Sequence, residues 1–307
     1  MDLTSRDEVR GPRSLVGGPG RRAALAVAAV VLAAGCGGTT PTEPTAEPPT
    51  TASPSASPDE SPTAEPTEPS EEMTVPAYFM VDTRAGLRLA REHQAATGSD
   101  PVAAAVEAMI AGSVDPDYTT SWSPATEVLS VTTTDGSAVV DLSEEARTAN
   151  VGSEGAALMV QQLVYTVTEA MDDPEATVDL LIEGAPAGEL WGAVVWDGAQ
   201  ARTDPLGVRV LVQIDEPLEG ATVSSPVTVS GEAAVFEANL TWRVLDASGA
   251  EVQSGFTMTA EGQTFAPYEF QVELEPGTWT VVVDEGDPSG GEAGGEPMTD
   301  SRTITVE

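Results

Sequence analysis

From residue 73 onward the apolar positions fall into short periodic runs, and the period changes along the chain. Residues 75–81 (VPAYFMV) are apolar almost throughout, and residues 87–93 (LRLAREH) alternate Leu87 and Leu89 with Arg88, Ala90 and Glu92, so each run predicts a strand. Asp100 offers a helix N-cap with Pro101 at the first helical position. Val102, Val106, Met109 and Ile110 then share one helical face until Gly112 ends the run. Residues 128–134 and 137–142 are strand-like and joined by Asp135-Gly136, the dipeptide whose positive φ angles suit a hairpin turn. Between Ser153 and Met171 the residues Ala156, Met159, Val160, Leu163, Val167 and Ala170 recur at helical spacing, and Asp172-Asp173-Pro174 stops them. Residues 176–182 predict a further strand and residues 190–196 a last one. Strand, strand, helix, hairpin, helix, strand implies an α+β layer with helices packed on one sheet.

After residue 207 only short alternating runs remain: 208–214, 227–230, 240–245, 255–259, 268–274, 278–283 and 302–306. Turn signals such as Ser248-Gly249 and Glu275-Pro276-Gly277 separate them. About seven short strands at this spacing predict an all-β immunoglobulin-like sandwich. Cysteine occurs once in the chain, so no inter-sheet disulfide is available and Trp242, Phe270 and Trp279 are expected to supply core area.

The first 72 residues show no such periodicity. Five arginines in residues 1–22 precede the apolar run 23–34 (AALAVAAVVLAA), a signal-peptide pattern. As a helix this run reaches about 18 Å, short of the roughly 30 Å hydrocarbon core, which disfavours a permanent span. Ala33-Ala34-Gly35-Cys36 resembles a bacterial lipobox, in which the cysteine is lipidated and becomes the new N-terminus. The usual leucine sits one place early, as Leu32. The alternative is a plain secretory peptide with an incidental cysteine, and the export route, general or twin-arginine, stays open. Residues 37–72 hold nine Pro, thirteen Ser or Thr and eight acids without an aromatic residue, a composition that cannot build a core. Extended at about 3.1 Å per residue, this stretch spans up to roughly 110 Å. The expected organisation is a signal peptide (1–35), a tether (36–72), an α+β domain (73–200) and an immunoglobulin-like domain (208–307).

Charge narrows the chemistry. The chain of 307 residues has 50 Asp plus Glu against 13 bases, all Arg, and one His, for a net charge of −37. Without lysine, Walker-type phosphate loops, Schiff-base catalysis and Ser/Lys nucleophiles are excluded. One Cys and one His cannot build a structural zinc site. After Cys36 there remain 8 Arg and 47 acids, net −39, which argues against nucleic-acid partners.

A family resemblance is carried by several runs together. Val75-Pro76-Ala77-Tyr78-Phe79, residues 104–112 (AAVEAMIAG), residues 138–143 (AVVDLS) and residues 162–168 (QLVYTVT) resemble the GerMN domain of spore-germination and cell-envelope proteins. Pro217-Leu218-Glu219-Gly220, then residues 225–233 (SPVTVSGEA) and 236–240 (FEANL), are similar to the immunoglobulin-like domain that accompanies GerMN in spore-germination proteins. The resemblance implies a lipid-anchored, extracytoplasmic and non-enzymatic envelope protein. It would act as a binding or scaffolding module for a protein partner or peptidoglycan-associated machinery, without a cofactor.

Candidate sites follow from residue chemistry. Arg84, Arg88 and Arg91 form a locally basic strand suited to an acidic partner. Tyr118 and Trp122, in a loop over 115–124, either stack on a partner or cap the core. Asp284, Asp287 and Glu292 concentrate oxygen ligands that would suit calcium, the alternative being an ordinary acidic loop; they do not fit an EF-hand register. His93 is the only imidazole and lacks a nucleophile elbow to pair with. A carboxylate-based glycan hydrolase and a calcium-dependent adhesion module are the alternative functions.

Overall fold

The computed structural model describes residues 71–286 and 297–307, all within one compact unit. The expected signal peptide, Cys36 and residues 37–70 of the expected tether lie outside the described residues, and Glu71 and Glu72, assigned to that tether, belong to the first strand. β1 (Glu71–Thr83) and β2 (Gly86–Gly98) form a long antiparallel ribbon, and Gly86 at φ +90 makes its turn. α1 (Pro101–Ala111) starts as predicted: the Asp100 carboxylate accepts from Val102 N at 2.9 Å and Ala103 N at 3.3 Å, and Gly112 ends the helix at φ +109. β3 (Val128–Thr134) and β4 (Ser137–Leu142) pair around Gly136 at φ +75. α2 (Ser153–Ala170) then crosses over to β5 (Thr177–Ile182), which runs parallel to β4, and β6 (Ala185–Pro186) closes the order β3-β4-β5-β6. Both helices pack on β1 and on each other. Phe79, Leu89, Met109, Met159, Leu163, Leu180 and Ile182 belong to the core they enclose.

The expected strand over 190–196 is instead a small hairpin of β7 (Gly188–Leu190) and β8 (Val194–Trp196). Trp191 and Gly192 both take positive φ, the geometry of a primed hairpin turn. An apolar residue in the turn hides it from a hydropathy reading, and Trp191 is held there by its Nε1–H donating to Ala146 O at 2.9 Å. Residues 208–214 also depart from one strand. Asp204 caps a short helix α3 (Pro205–Val208) through Leu206 N, Arg209 makes a single bridge to Leu89, and the strand itself begins at β9 (Val212–Glu216).

The rest of the chain is the expected sandwich. β10 (Thr222–Val223), β16 (Thr299–Val306), β15 (Gly277–Asp284), β12 (Asn239–Asp246) and β13 (Glu251–Met258) form one sheet in that order. β14 (Ala266–Val272), β11 (Val227–Ala233) and β9 form the other. Val229, Leu240, Val244, Tyr268, Val281 and Ile304 fill the space between them. Of the three aromatics expected to replace a disulfide, Trp242 is buried and stacks on the half-buried Phe270 at 5.0 Å, and Trp279 packs half-buried at the margin.

Candidate functional site at the domain seam

Two arginine-centred networks join the α+β domain to the sandwich. The first sits where the last strand enters the sandwich. Alternation along β16 points Asp300, Arg302, Ile304 and Val306 inward, and the row changes from apolar to ionic at the end facing the first domain. There Arg302 Nη1 donates to Asp115 Oδ2 at 2.8 Å and to Asp300 Oδ1 at 2.7 Å, and Nη2 donates to Ile214 O at 2.9 Å. Tyr118 Oη donates to Asp300 Oδ1 at 2.5 Å, and Asp300 Oδ2 accepts from Ile214 N at 2.6 Å. The loop carrying Asp115 and Tyr118 is itself fixed, because Glu92 accepts from Val114 N and Asp115 N, and Thr119 bridges to Met80 in both directions.

The second network surrounds Arg91 on β2. Its Nε and Nη2 grip Asp215 at 3.0 and 2.8 Å, Nη2 lies 2.8 Å from Glu232 Oε1, and Nη1 reaches Glu169 on α2. Asp215 reaches across because β9 slips register against β11 between Ser230 and Gly231, leaving Asp215 without a cross-strand partner. Such a bulge re-aims the extra side chain. Arg202 joins through Glu169 at 2.6 Å, and Arg209 through Glu232 while lying 4.1 Å over the Phe265 ring.

The electrostatics follow from burial. Asp115 is 3 % exposed, and desolvation pushes its carboxyl up to about 7 although Asp117 N–H and Arg302 oppose the shift. Burial and the neighbouring Asp300 raise Tyr118. Burial works to raise Glu169 as well, but Arg91 and Arg202 hold it below the usual carboxylate range. Burial lowers His93 against the pull of Asp215, whose Oδ1 lies 3.6 Å from Nδ1 and is already gripped by Arg91.

Asp115 gives a pH signature. Its folded value lies above the ordinary 3.8, so its contribution to stability is complete below that value and is lost as pH rises through about 7. Subtracting the Asp115→Asn melting profile from the wild-type profile is expected to leave a curve that falls between pH 4 and 7. A flat difference across that interval would refute the assignment.

The structure redistributes the sequence candidates. Arg91 is buried and committed to Glu169, Asp215 and Glu232, so it is not a surface base. Arg84 pairs with Glu285, and half-buried Arg88 donates to its own Leu87 O at 2.9 Å. Of the two readings of Tyr118 and Trp122, partner anchor or core cap, the structure corrects the first and agrees with the second. Tyr118 is bonded into the seam, and Trp122 is 3 % exposed, edge-on to Trp191 at 5.3 Å. Asp284 is buried and bonded to Arg243 at 2.7 Å, while Asp287 and Glu292 lie outside the described residues. Among the described residues no three His, Cys, Asp or Glu side chains converge as a metal site. Asp215, Glu232, Asp300 and Arg302, which carry the seam, were missed as candidates; for Asp300 and Arg302 the available signal was a charge falling in the inward phase of an alternating strand, whereas Asp215 and Glu232 lie in the outward phase and gave none.

Two clefts flank the networks. One of about 490 Å³ is lined by Val81, Asp82, Tyr118, Val210, Met298 and Asp300 among others, and one of about 230 Å³ by Arg91, Glu169, Arg202, Arg209 and Glu232 among others. Although Asp300, Glu169 and Glu232 border these clefts, each is paired with an arginine, so the arrangement ties the two domains together.

Comparison with known proteins agrees with this architecture. Residues 76–188 match the family model described as sporulation and spore germination, and residues 211–292 match the immunoglobulin-like domain of bacterial spore germination. Among solved structures, the tandem GerMN domains of the sporulation protein GerM from Bacillus subtilis are 17% identical with TM-score 0.33, covering 46% of this chain and 48% of that one. The chain thus spans about half the length of that tandem structure. The first GerMN domain of the same protein is 20% identical with TM-score 0.33, covering 42% of this chain and 98% of that one. A putative lipoprotein from Clostridium perfringens is 17% identical with TM-score 0.30, covering 42% and 87%. No curated protein matches. The chain therefore carries a GerMN domain of the sporulation and spore germination family followed by an immunoglobulin-like domain of bacterial spore germination.

Proposed function

We propose that this protein is a lipid-anchored, non-catalytic scaffold on the extracytoplasmic side of a bacterial envelope. It would be tethered through Cys36 and present its two domains together to a protein partner or to peptidoglycan-associated machinery. The observation that carries this reading is the seam. Asp115 and Asp300 both bond the same Arg302 nitrogen, at 2.8 and 2.7 Å, with 3 % and 4 % exposure. A glycan hydrolase needs two carboxyls with a sugar or water between them. Here a guanidinium fills that gap, so the most perturbed carboxyl of the seam serves mechanical coupling of the domains. The matched families are germination-related domains rather than known enzymes. Among the described residues no helix is long and apolar enough to cross a membrane.

The test uses the full chain expressed in a bacterial host. Wild type is expected in the detergent phase, with a diacylglyceryl mass on its N-terminal peptide, and Cys36→Ala in the aqueous phase. Incubation of either with purified peptidoglycan is expected to release no soluble glycan fragments. Aqueous partition of wild type would remove the anchor, and steady release of fragments would replace the scaffold by the hydrolase.

A further inference from the structure

β13 ends its sheet: one edge pairs with β12, and no described strand pairs with the other. Free edges are commonly blocked by lysine, proline or inward charge. β13 (EVQSGFTM) carries none of these, only Glu251 at its start. Its inward positions are settled. Gly255 lies under Trp242, where a Cβ would come within 2.4 Å of the ring, and Thr257 Oγ1 donates to Glu269 O at 3.3 Å. A one-residue slip that turned Phe256 inward would drive its ring into Trp242, so the fold imposes an outward Phe256. Phe256 and Met258 are 75% and 60% exposed, and across from them on β12 stand only the short polar Thr241 and Asn239. Thr259 N donates to Ala238 O at 2.9 Å, continuing the ladder. Because successive residues of an antiparallel pair point to opposite edges, the backbone N–H and C=O groups of Phe256 and Met258 face the free edge.

We propose that this edge is a strand-addition site for an extended, basic segment of a partner protein, whose alternate apolar side chains cover Phe256 and Met258. The proposal deepens the scaffold reading and rests on it. In this mode main-chain hydrogen bonds supply affinity and alternate side chains supply specificity. Charge selects the occupant. Glu251 starts the strand, Glu261 and Glu269 are held next to it through their carbonyls, which accept from Thr259 and Thr257, and the nearby base, Arg243 opposite Ser254, is neutralised by Asp284. A second copy brings a net −39 after Cys36, and residues 37–72 bring eight acids and no base, so both are repelled where a basic segment is attracted.

The probe is a short capped, fluorescein-labelled peptide alternating valine and lysine, titrated by anisotropy into the full chain in detergent at near-physiological salt. A Ser/Lys peptide controls for charge and a Val/Glu peptide for apolarity. The Val/Lys peptide is expected to bind wild type and to lose at least about tenfold in affinity to Phe256→Ser/Met258→Ser. That variant changes exposed residues, so its melting temperature should match wild type. Equal binding to the variant, or equal binding of the Ser/Lys peptide to wild type, would overturn the edge site. Preference for the Val/Glu peptide would overturn the basic partner, and Phe256-dependent dimerisation in sedimentation would assign the edge to a second copy. Anchoring through Cys36 is read separately, so failure here leaves the scaffold reading standing.

Discussion

Arg302→Leu is expected to destabilise the protein by about 3–5 kcal/mol, the range for removing one partner of a buried ion pair. Arg302 is 2 % exposed, and its loss leaves Asp115 and Asp300, at 3 % and 4 %, facing each other without a cation. It also strips Ile214 O and Ser301 O of a donor. For a folded unit of this size the melting temperature should fall by on the order of 10 °C. Two explanations compete, lost packing and stranded charge, and a triple variant separates them. Adding Asp115→Asn and Asp300→Asn removes the stranded charge while an amide oxygen can still accept from Ile214 N, so the triple variant should recover much of the loss. If calorimetry shows Arg302→Leu within about 1 kcal/mol of wild type, or the triple variant less stable than the single, the seam is not held by this ion cluster.

The elements were legible where the signal is local. Asp100-Pro101, Asp135-Gly136 and the spacing from Ala156 to Ala170 each depend on a few neighbouring residues, and the structure places α1, the β3–β4 turn and α2 there. The seam was not legible because its partners are distant in sequence and charged. Arg91 meets Asp215 across 124 positions, and Arg302 meets Asp115 across 187. A strand with three arginines in residues 84 to 91 reads as a basic surface, whereas the second domain supplies Asp215 and Glu232, two of the three acids paired with Arg91. Strand phase held more information than charge. Arg91 follows Leu87 and Leu89 at period two, and Arg302 precedes Ile304 and Val306 in the same way, so each lies in the inward phase of its strand. The loop with Tyr118 and Trp122 misled for a related reason. Its Asp, Ser, Thr and Pro content suits a surface turn, yet Tyr118 and Trp122 pack into the core of the first domain and the Tyr118 hydroxyl bonds Asp300 of the sandwich. Asp215 depends on a register slip that no local pattern announces.

Gly231→Ala should be nearly as damaging as loss of Arg302, at about 2–4 kcal/mol, though it adds a single methyl group. Gly231 lies opposite Tyr268 on β14 and Ile214 on β9. A Cβ there would stand 1.9 Å from Gln213 O and 2.9 Å from the Tyr268 hydroxyl, which itself donates to Gln213 O at 2.9 Å. Only glycine lets the tyrosine reach across the strand to that carbonyl. The obstruction is backbone, so relief requires β9 to move, carrying Val212 and Ile214 out of the core and Asp215 away from Arg91. The substitution therefore links sandwich packing to the seam, and it gives a physical reason for the Ser230-Gly231-Glu232 run that made the sequence recognisable. Gly207→Ala is the matched control: its Cβ would meet nothing within 4 Å and its backbone is unstrained, so its effect should stay within about 0.5 kcal/mol. Gly231→Ala combined with Tyr268→Phe should recover little, because the carbonyl clash remains when the hydroxyl is gone. Full recovery in that double variant would place the conflict at the hydroxyl, and a Gly231→Ala protein as stable as Gly207→Ala would show that β9 yields freely.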